Sequence, residues 1–141
     1  MTGTVHATTV AIGGRGVLIA GVSGAGKSDL ALRLIDRGAV LVSDDRTALA
    51  REAGTVYASA PATIAGRMEV RGVGIIDMPQ AGPVPVALAV RIGSPERLPE
   101  PRWRELAGVR VPELVIDARE PTAAIKIELC LLYTSPSPRD S

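Results

Sequence analysis

Aromatic residues are almost missing from this 141-residue chain, which has no Phe, one Trp and two Tyr, so whatever core it forms must be aliphatic. The single cysteine, Cys130, excludes an internal disulfide and fits a reducing compartment. No apolar run approaches the roughly 18 residues of a membrane-spanning helix, and Met1 to Val10 has neither a basic nor an apolar leader region. Neither sign of charge dominates, because sixteen basic residues face fifteen acidic ones, a formal net charge of +1. Without a basic patch or stacking aromatics, nucleic acid is not an expected partner. These deficits predict a cytoplasmic protein that engages neither membrane nor nucleic acid.

Hydrophobic residues make up 46% of the chain, carried mostly by Ala, Val, Leu and Ile. Such a composition suits a buried sheet covered by helices, and the length suits one domain. Val17 to Ala20 is a short apolar run ending at glycine, expected as a buried strand. Leu30, Ala31, Leu34 and Ile35 recur at helical spacing between Lys27 and Arg37, and Gly38 stands where a left-handed cap ends a helix. Ala39 to Val42 then reads as a second buried strand, so the segment predicts a βαβ unit with parallel strands. Beyond Ala48 the pieces Thr55 to Ala58 and Thr63 to Val70 are spaced by Gly and Pro, which predicts a meander. Gly74 to Asp77, Val86 to Ile92 and Leu114 to Ile116 are further expected strands. The three prolines between Pro95 and Arg102 predict an extended connection before a short helix at Trp103 to Leu106. Tyr133 to Ser141 has no apolar face and is expected to be disordered, and the run from Cys130 on looks like translated adaptor or vector read-through. The expected domain is therefore 1–132, with 133–141 as a tail.

Gly21-Val22-Ser23-Gly24-Ala25-Gly26-Lys27-Ser28 matches G-x-x-x-x-G-K-[ST] in full, between a predicted strand and a predicted helix. Glycines at these places let backbone N–H groups turn inward around phosphates, and the helix N-terminus adds partial positive charge. Lys27 can reach the outer phosphates of ATP, and Ser28 can place its hydroxyl on Mg²⁺. Asp44 and Asp45 follow the second strand at its carboxyl end, where ligands collect in α/β sheets. Adjacent side chains diverge, so one carboxylate can lie near a metal while the other acts as a base; a capped, solvated turn is the simpler alternative. Met68 to Asp77 joins Glu69, Arg71 and two glycines to a short apolar run, either as a ligand-approaching loop or as an ordinary β-hairpin. His6 lies fifteen residues before Gly21. Arg97 and Arg119 are candidates for neutralising charge on a transferring phosphoryl group.

A His ahead of a G-x-S-G-x-G-K-S loop, a strand ending in Asp-Asp, and then E-[IV]-R-G-x-G-I-I-D is the ordered pattern of HPr kinase/phosphorylase. The sequence resembles that family at His6, Gly21 to Ser28, Asp44-Asp45 and Glu69 to Asp77, over roughly Val5 to Leu132. The resemblance implies an α/β fold, a P-loop kinase domain with a central mixed β-sheet flanked by helices, of the HPr kinase/phosphoenolpyruvate carboxykinase type. It implies ATP and Mg²⁺ as cofactors, the phosphocarrier protein HPr as substrate, and a hexameric homo-oligomer. Lys27 becomes the phosphate-binding lysine, Ser28 and Glu69 the magnesium ligands, and His6 an active-site residue. Asp45, with Asp44 as its rival, becomes the proton acceptor. Arg97 looks like the family's catalytic arginine and Arg119 like the basic residue of its dephosphorylation loop. Longer family members carry an N-terminal domain ahead of the kinase domain, and by resemblance this sequence is expected to be the short form. It also reads Asp117-Ala118-Arg119-Glu120-Pro121-Thr122 where the family has P-V-R-P-G-R. Kinase activity is thus expected, with phosphorolysis of the phosphoserine as a possible second activity. A kinase of a small metabolite and an ATP-binding regulatory module are the alternatives.

Overall fold

The computed structural model describes residues 2–133. Eleven strands are present among them: β1 Thr2–Val5, β2 Ala7–Ile12, β3 Arg15–Ala20, β4 Val40–Ser43, β5 Thr47–Glu52, β6 Thr55–Ser59, β7 Arg67–Val70, β8 Gly74–Asp77, β9 Val84–Ile92, β10 Arg102–Leu106 and β11 Val109–Ile116. Two α-helices join them, α1 Lys27–Asp36 and α2 Ala123–Tyr133, with a 3₁₀ turn at Ala62–Ile64. Nine strands form one mixed sheet in the order β1-β5-β6-β9-β3-β2-β4, and the β10–β11 hairpin joins it through β11 beside β9. β7 and β8 form a separate hairpin. The expected α/β class with a mixed, helix-flanked sheet is what is found.

Alternation along the central strands explains why their sequences are apolar throughout. In β3, Val17 and Ile19 face a core shared with Leu30 and Leu34 of α1 and Ile127 of α2, whereas Leu18 and Ala20 face a second core. Leu49, Val56 and Ala58 from β5 and β6, with Leu106 and Val111 from the β10–β11 hairpin, close that second core as the sheet curls over itself. A strand covered on both faces has no reason to alternate with polar residues. Each fully buried Leu of α1 contributes about 1.5–3 kcal/mol of transfer free energy, and these residues pin the helix behind the glycine loop. The helix ends as expected: Gly38 has φ 112, its N–H donates to Ile35 O and the Ala39 N–H to Leu34 O, both at 3.0 Å.

Two expectations need correction. β3 and β4 run in the same direction, yet they are not neighbours, because β2 lies between them and is antiparallel to both. Trp103 to Leu106 is not a helix but lies in β10, paired with β11 in the register Trp103↔Pro112 to Leu106↔Val109. The two-residue turn Ala107-Gly108 has positive φ at both positions, 49° and 82°, the geometry that matches the twist of a tight hairpin. Alanine is an unusual residue there, which hid the turn. Cys130 to Tyr133 lie in α2, where Leu131 is buried and Arg15 donates to its carbonyl at 3.2 Å. The remainder of the expected tail lies outside the described residues. No helix among the described residues is long and apolar enough to cross a membrane.

Candidate active site

The strand order assembles the candidate residues at one edge. β2 runs down between β3 and β4, so its first residue, paired as Ala7↔Ala20, lies beside the ends from which Gly21 and Asp44 emerge. β9 is parallel to β3 and β11 is parallel to β9, so the segments after Ile92 and after Ile116 leave from that same edge. His6, the P-loop, the Asp pair, the segment carrying Arg97 and the loop carrying Arg119 are therefore all placed there.

The loop from Gly21 to Gly26 turns through left-handed backbone at Gly24 (φ 82) and Gly26 (φ 102), conformations that favour glycine. Gly26 caps α1 without any side-chain hydrogen bond, which leaves first-turn N–H groups directed at the loop. Lys27 does not stand free. It is only 6% exposed, and its Nζ donates to the carbonyls of Gly21 at 3.0 Å and Val22 at 3.3 Å. None of the ion pairs among the described residues involves it. A buried ammonium held by neutral carbonyls, beneath uncapped amides at a helix N-terminus, forms a cradle that fits phosphate oxygens.

The two aspartates have different surroundings. Asp44 is 8% exposed, and its carboxylate accepts from Ser28 Oγ at 2.6 Å and Thr8 Oγ1 at 3.2 Å on one oxygen, and from the Glu69 N–H at 3.0 Å on the other. Asp45 is exposed, sits in left-handed backbone with φ 68, and bonds His6 Nε2 at 2.7 Å; its N–H donates to Thr8 Oγ1 at 3.0 Å. Asp44, Asp45, Arg46, Arg67, Glu69 and Ile75 line a cleft of about 480 Å³. Among the described residues no group of three or more His, Cys, Asp or Glu side chains is disposed to hold a metal by itself. The hard oxygens of Ser28, Asp44 and Glu69 instead fit a Mg²⁺ that takes one or two carboxylates and completes its shell with water and substrate phosphates. With its proton given to Asp44, the Ser28 hydroxyl keeps its lone pairs for a cation.

The β7–β8 hairpin pairs Glu69 with Ile75, so the hairpin expected as the simpler alternative is what forms, and it nevertheless brings Glu69 to the cleft. Arg97 is exposed in the segment after β9. Arg119 is held by Asp117, which accepts from its N–H, Nε and Nη2, all at 3.0 Å. Those hydrogen bonds hold the Asp117 carboxyl below its ordinary range and raise the Arg119 guanidinium above its own. Two residues escaped the sequence reading. Thr8 touches both aspartates. Arg33 of α1 donates to the carbonyls of Ala118 and Glu120, so the Asp117–Glu120 loop is tied to the helix that follows the P-loop. Only the polar pair Thr8-Thr9 inside an otherwise apolar strand could have pointed to the first. A larger cavity of about 830 Å³ lies between β9 and the β10–β11 hairpin and is lined by none of the P-loop or aspartate residues.

Comparison with known proteins identifies the family and the fold. The chain is 47% identical over 75 residues to the HPr kinase/phosphorylase of Clostridium botulinum, 53% of this chain and 25% of that protein. It is also 47% identical over 78 residues to that of Bordetella pertussis, 55% of this chain and 25% of the other. It thus spans about a quarter of the length of these curated relatives. The solved structure of the HPr(Ser) kinase/phosphatase from Coxiella burnetii superposes with a TM-score of 0.81 at 30% identity, covering 94% of this chain and 95% of that one. The sequence profile of the HPr Serine kinase C-terminal domain matches residues 1–82, the stretch from β1 through the β7–β8 hairpin that holds the P-loop, both aspartates and Glu69, and the chain belongs to that family.

Proposed function

We propose that the chain is an ATP- and Mg²⁺-dependent protein serine kinase whose acceptor is HPr, working in the cytoplasm as a homo-oligomer. The observation that carries this reading is the division between the aspartates beside a complete P-loop: one carboxylate buried against Ser28, the other exposed beside His6. The P-loop amides and Lys27 would bind the nucleotide phosphates, and Ser28, Asp44 and Glu69 would hold the metal. Mg²⁺, when bound, supplies positive charge against the charge spread over the transferring phosphoryl group. Asp45 accepts the proton of the serine hydroxyl as its oxygen bonds to phosphorus and the bond to the ADP oxygen breaks, so the proton ends on Asp45 and the phosphoryl group on serine. His6, bonded to that carboxylate, orients it. Arg97 or Arg119 would offset charge in transfer, and with Arg119 committed to Asp117, Arg97 is the freer to do so. Return of the phosphoryl group to inorganic phosphate would use the same carboxylate in reverse, as reversibility of one site requires.

Incubation of the purified chain with ATP, Mg²⁺ and HPr should yield phosphoserine. Phosphorylation of a small metabolite instead of HPr would identify a metabolite kinase, and ATP binding without transfer to either would identify a regulatory module.

A further inference from the structure

We infer that Thr8 is a positioning residue that sets the two aspartates to different tasks. This rests on the kinase reading above. The Thr8 side chain is wholly buried, in a strand whose neighbours Ala7, Val10 and Ala11 are apolar, and a hydroxyl in such a place needs partners. Its one proton goes to Asp44 Oδ1 at 3.2 Å, and its lone pair receives the Asp45 N–H at 3.0 Å. A single oxygen thus holds the side chain of one aspartate and the backbone of the next.

Each half of that grip has a consequence. The bond to Asp44, together with those from Ser28 and the Glu69 N–H, keeps the carboxylate on the P-loop side, where the Ser28 oxygen can face a cation. The bond from the Asp45 N–H helps secure a non-glycine residue at φ 68, a conformation that is strained for a residue with a side chain and persists only where its surroundings hold it. With the chain turned this way, the Asp45 carboxylate points outward to His6 rather than inward beside Asp44. Without the hydroxyl, the Asp45 N–H loses its acceptor and the Asp-Asp step loses the contact that separates its side chains. The neighbouring Thr9 has no such role, since its hydroxyl pairs with Thr47 at 2.8 Å on the sheet's other side.

The test compares Thr8→Val, which keeps shape and β-branching, with Thr8→Ser, which keeps the hydroxyl. Three quantities are measured on the full chain: hydrogen exchange of the Asp45 amide, calorimetric affinity for Mg²⁺-ATP, and steady-state transfer to HPr. Thr8→Val should lose about tenfold in Asp45 amide protection. It should also lose about tenfold to a hundredfold in Mg²⁺-ATP affinity, the worth of its hydrogen bond to the charged Asp44, and about tenfold in turnover at saturating Mg²⁺-ATP as the Asp45 backbone is released. Thr8→Ser should stay within about threefold of wild type in all three. Unchanged protection and turnover in Thr8→Val, or equal damage in both variants, would overturn the inference. A wild-type chain inactive on HPr would refute the kinase reading instead, and the amide exchange would still decide whether Thr8 anchors Asp45.

Discussion

Replacing each aspartate by asparagine in turn should produce different failures, and the structure sets the size of each. Asp44 receives two hydroxyl donors on one oxygen and a backbone N–H on the other. An asparagine has one acceptor atom there, so its best orientation keeps the oxygen toward Ser28 and Thr8 and sets its NH₂ against the Glu69 N–H. One bond to a charged group is lost, about 1.5–3 kcal/mol, which corresponds to roughly tenfold to a hundredfold in any equilibrium that needs the carboxylate in place. Asp44→Asn should therefore weaken Mg²⁺-ATP binding by about that factor and raise the Mg²⁺ needed for half-maximal rate. Asp45 is exposed and has His6 as its carboxylate partner, a contact an asparagine can keep. Asp45→Asn should leave nucleotide affinity nearly normal while transfer to serine falls by roughly 10² to 10⁴, the usual contribution of a positioned base. Calorimetry of Mg²⁺-ATP binding beside phosphoserine detection, for both variants at several Mg²⁺ concentrations, reads the two effects separately. Exchanged phenotypes would exchange the roles. Near-normal transfer in both would refute the division and return the pair to a solvated turn.

Lys27→Ala should remove a buried cation from beneath the loop, lowering transfer by roughly 10² to 10³ while far-ultraviolet circular dichroism stays unchanged. Glu69→Gln keeps the backbone N–H that binds Asp44, so thermal stability should hold while the Mg²⁺ titration shifts to higher concentration; an unshifted titration would make Glu69 a surface residue. The Asp117–Arg119 pair gives a pH dependence. Arg119 lowers the Asp117 carboxyl in the folded state, so the pair's contribution is present above the ordinary carboxylate value of about 4 and is lost as pH falls through the lowered one. Melting temperatures of wild type and Asp117→Asn should differ near neutral pH and converge as the pH falls through the lowered Asp117 value, whereas a difference that stays constant through the acid range would show that the ion pair is not its source.

The parts of the fold that were legible in sequence are those fixed by local chemistry. β3, the glycine loop, α1 and its Gly38 cap follow one another with the periodicity and turn residues such elements require, and the structure places each within a residue or two. What escaped was pairing. β2 enters between β3 and β4, a long-range choice on which a βαβ pattern is silent, because the strand that intervenes precedes the unit in sequence. The β10–β11 hairpin was missed because its turn relies on Ala107 in left-handed backbone, and because Arg102 to Leu106 mixes charges with Trp in a manner equally compatible with a helix turn.

The same distinction governs the site. Candidates at Gly21 to Ser28, Asp44 and Asp45 can be named from sequence because phosphate and metal chemistry restricts which residues can serve and at what spacing, whereas Glu69 is singled out only by the resemblance to the family. Roles were not legible, because they depend on which side of a strand end each side chain leaves. Asp44 and Asp45 are chemically equal in sequence; only the β2 register, which sets Thr8 beside both and His6 beside the second, makes one an inward carboxylate and the other an outward one. The fate of Lys27 follows the same logic. Its position in the motif implies an extended phosphate-seeking side chain, whereas the structure folds Nζ back onto the carbonyls of Gly21 and Val22, because a buried ammonium needs acceptors and the loop backbone supplies them. Phosphate oxygens carrying full charge are better acceptors than neutral carbonyls, so nucleotide binding should draw Nζ off the loop.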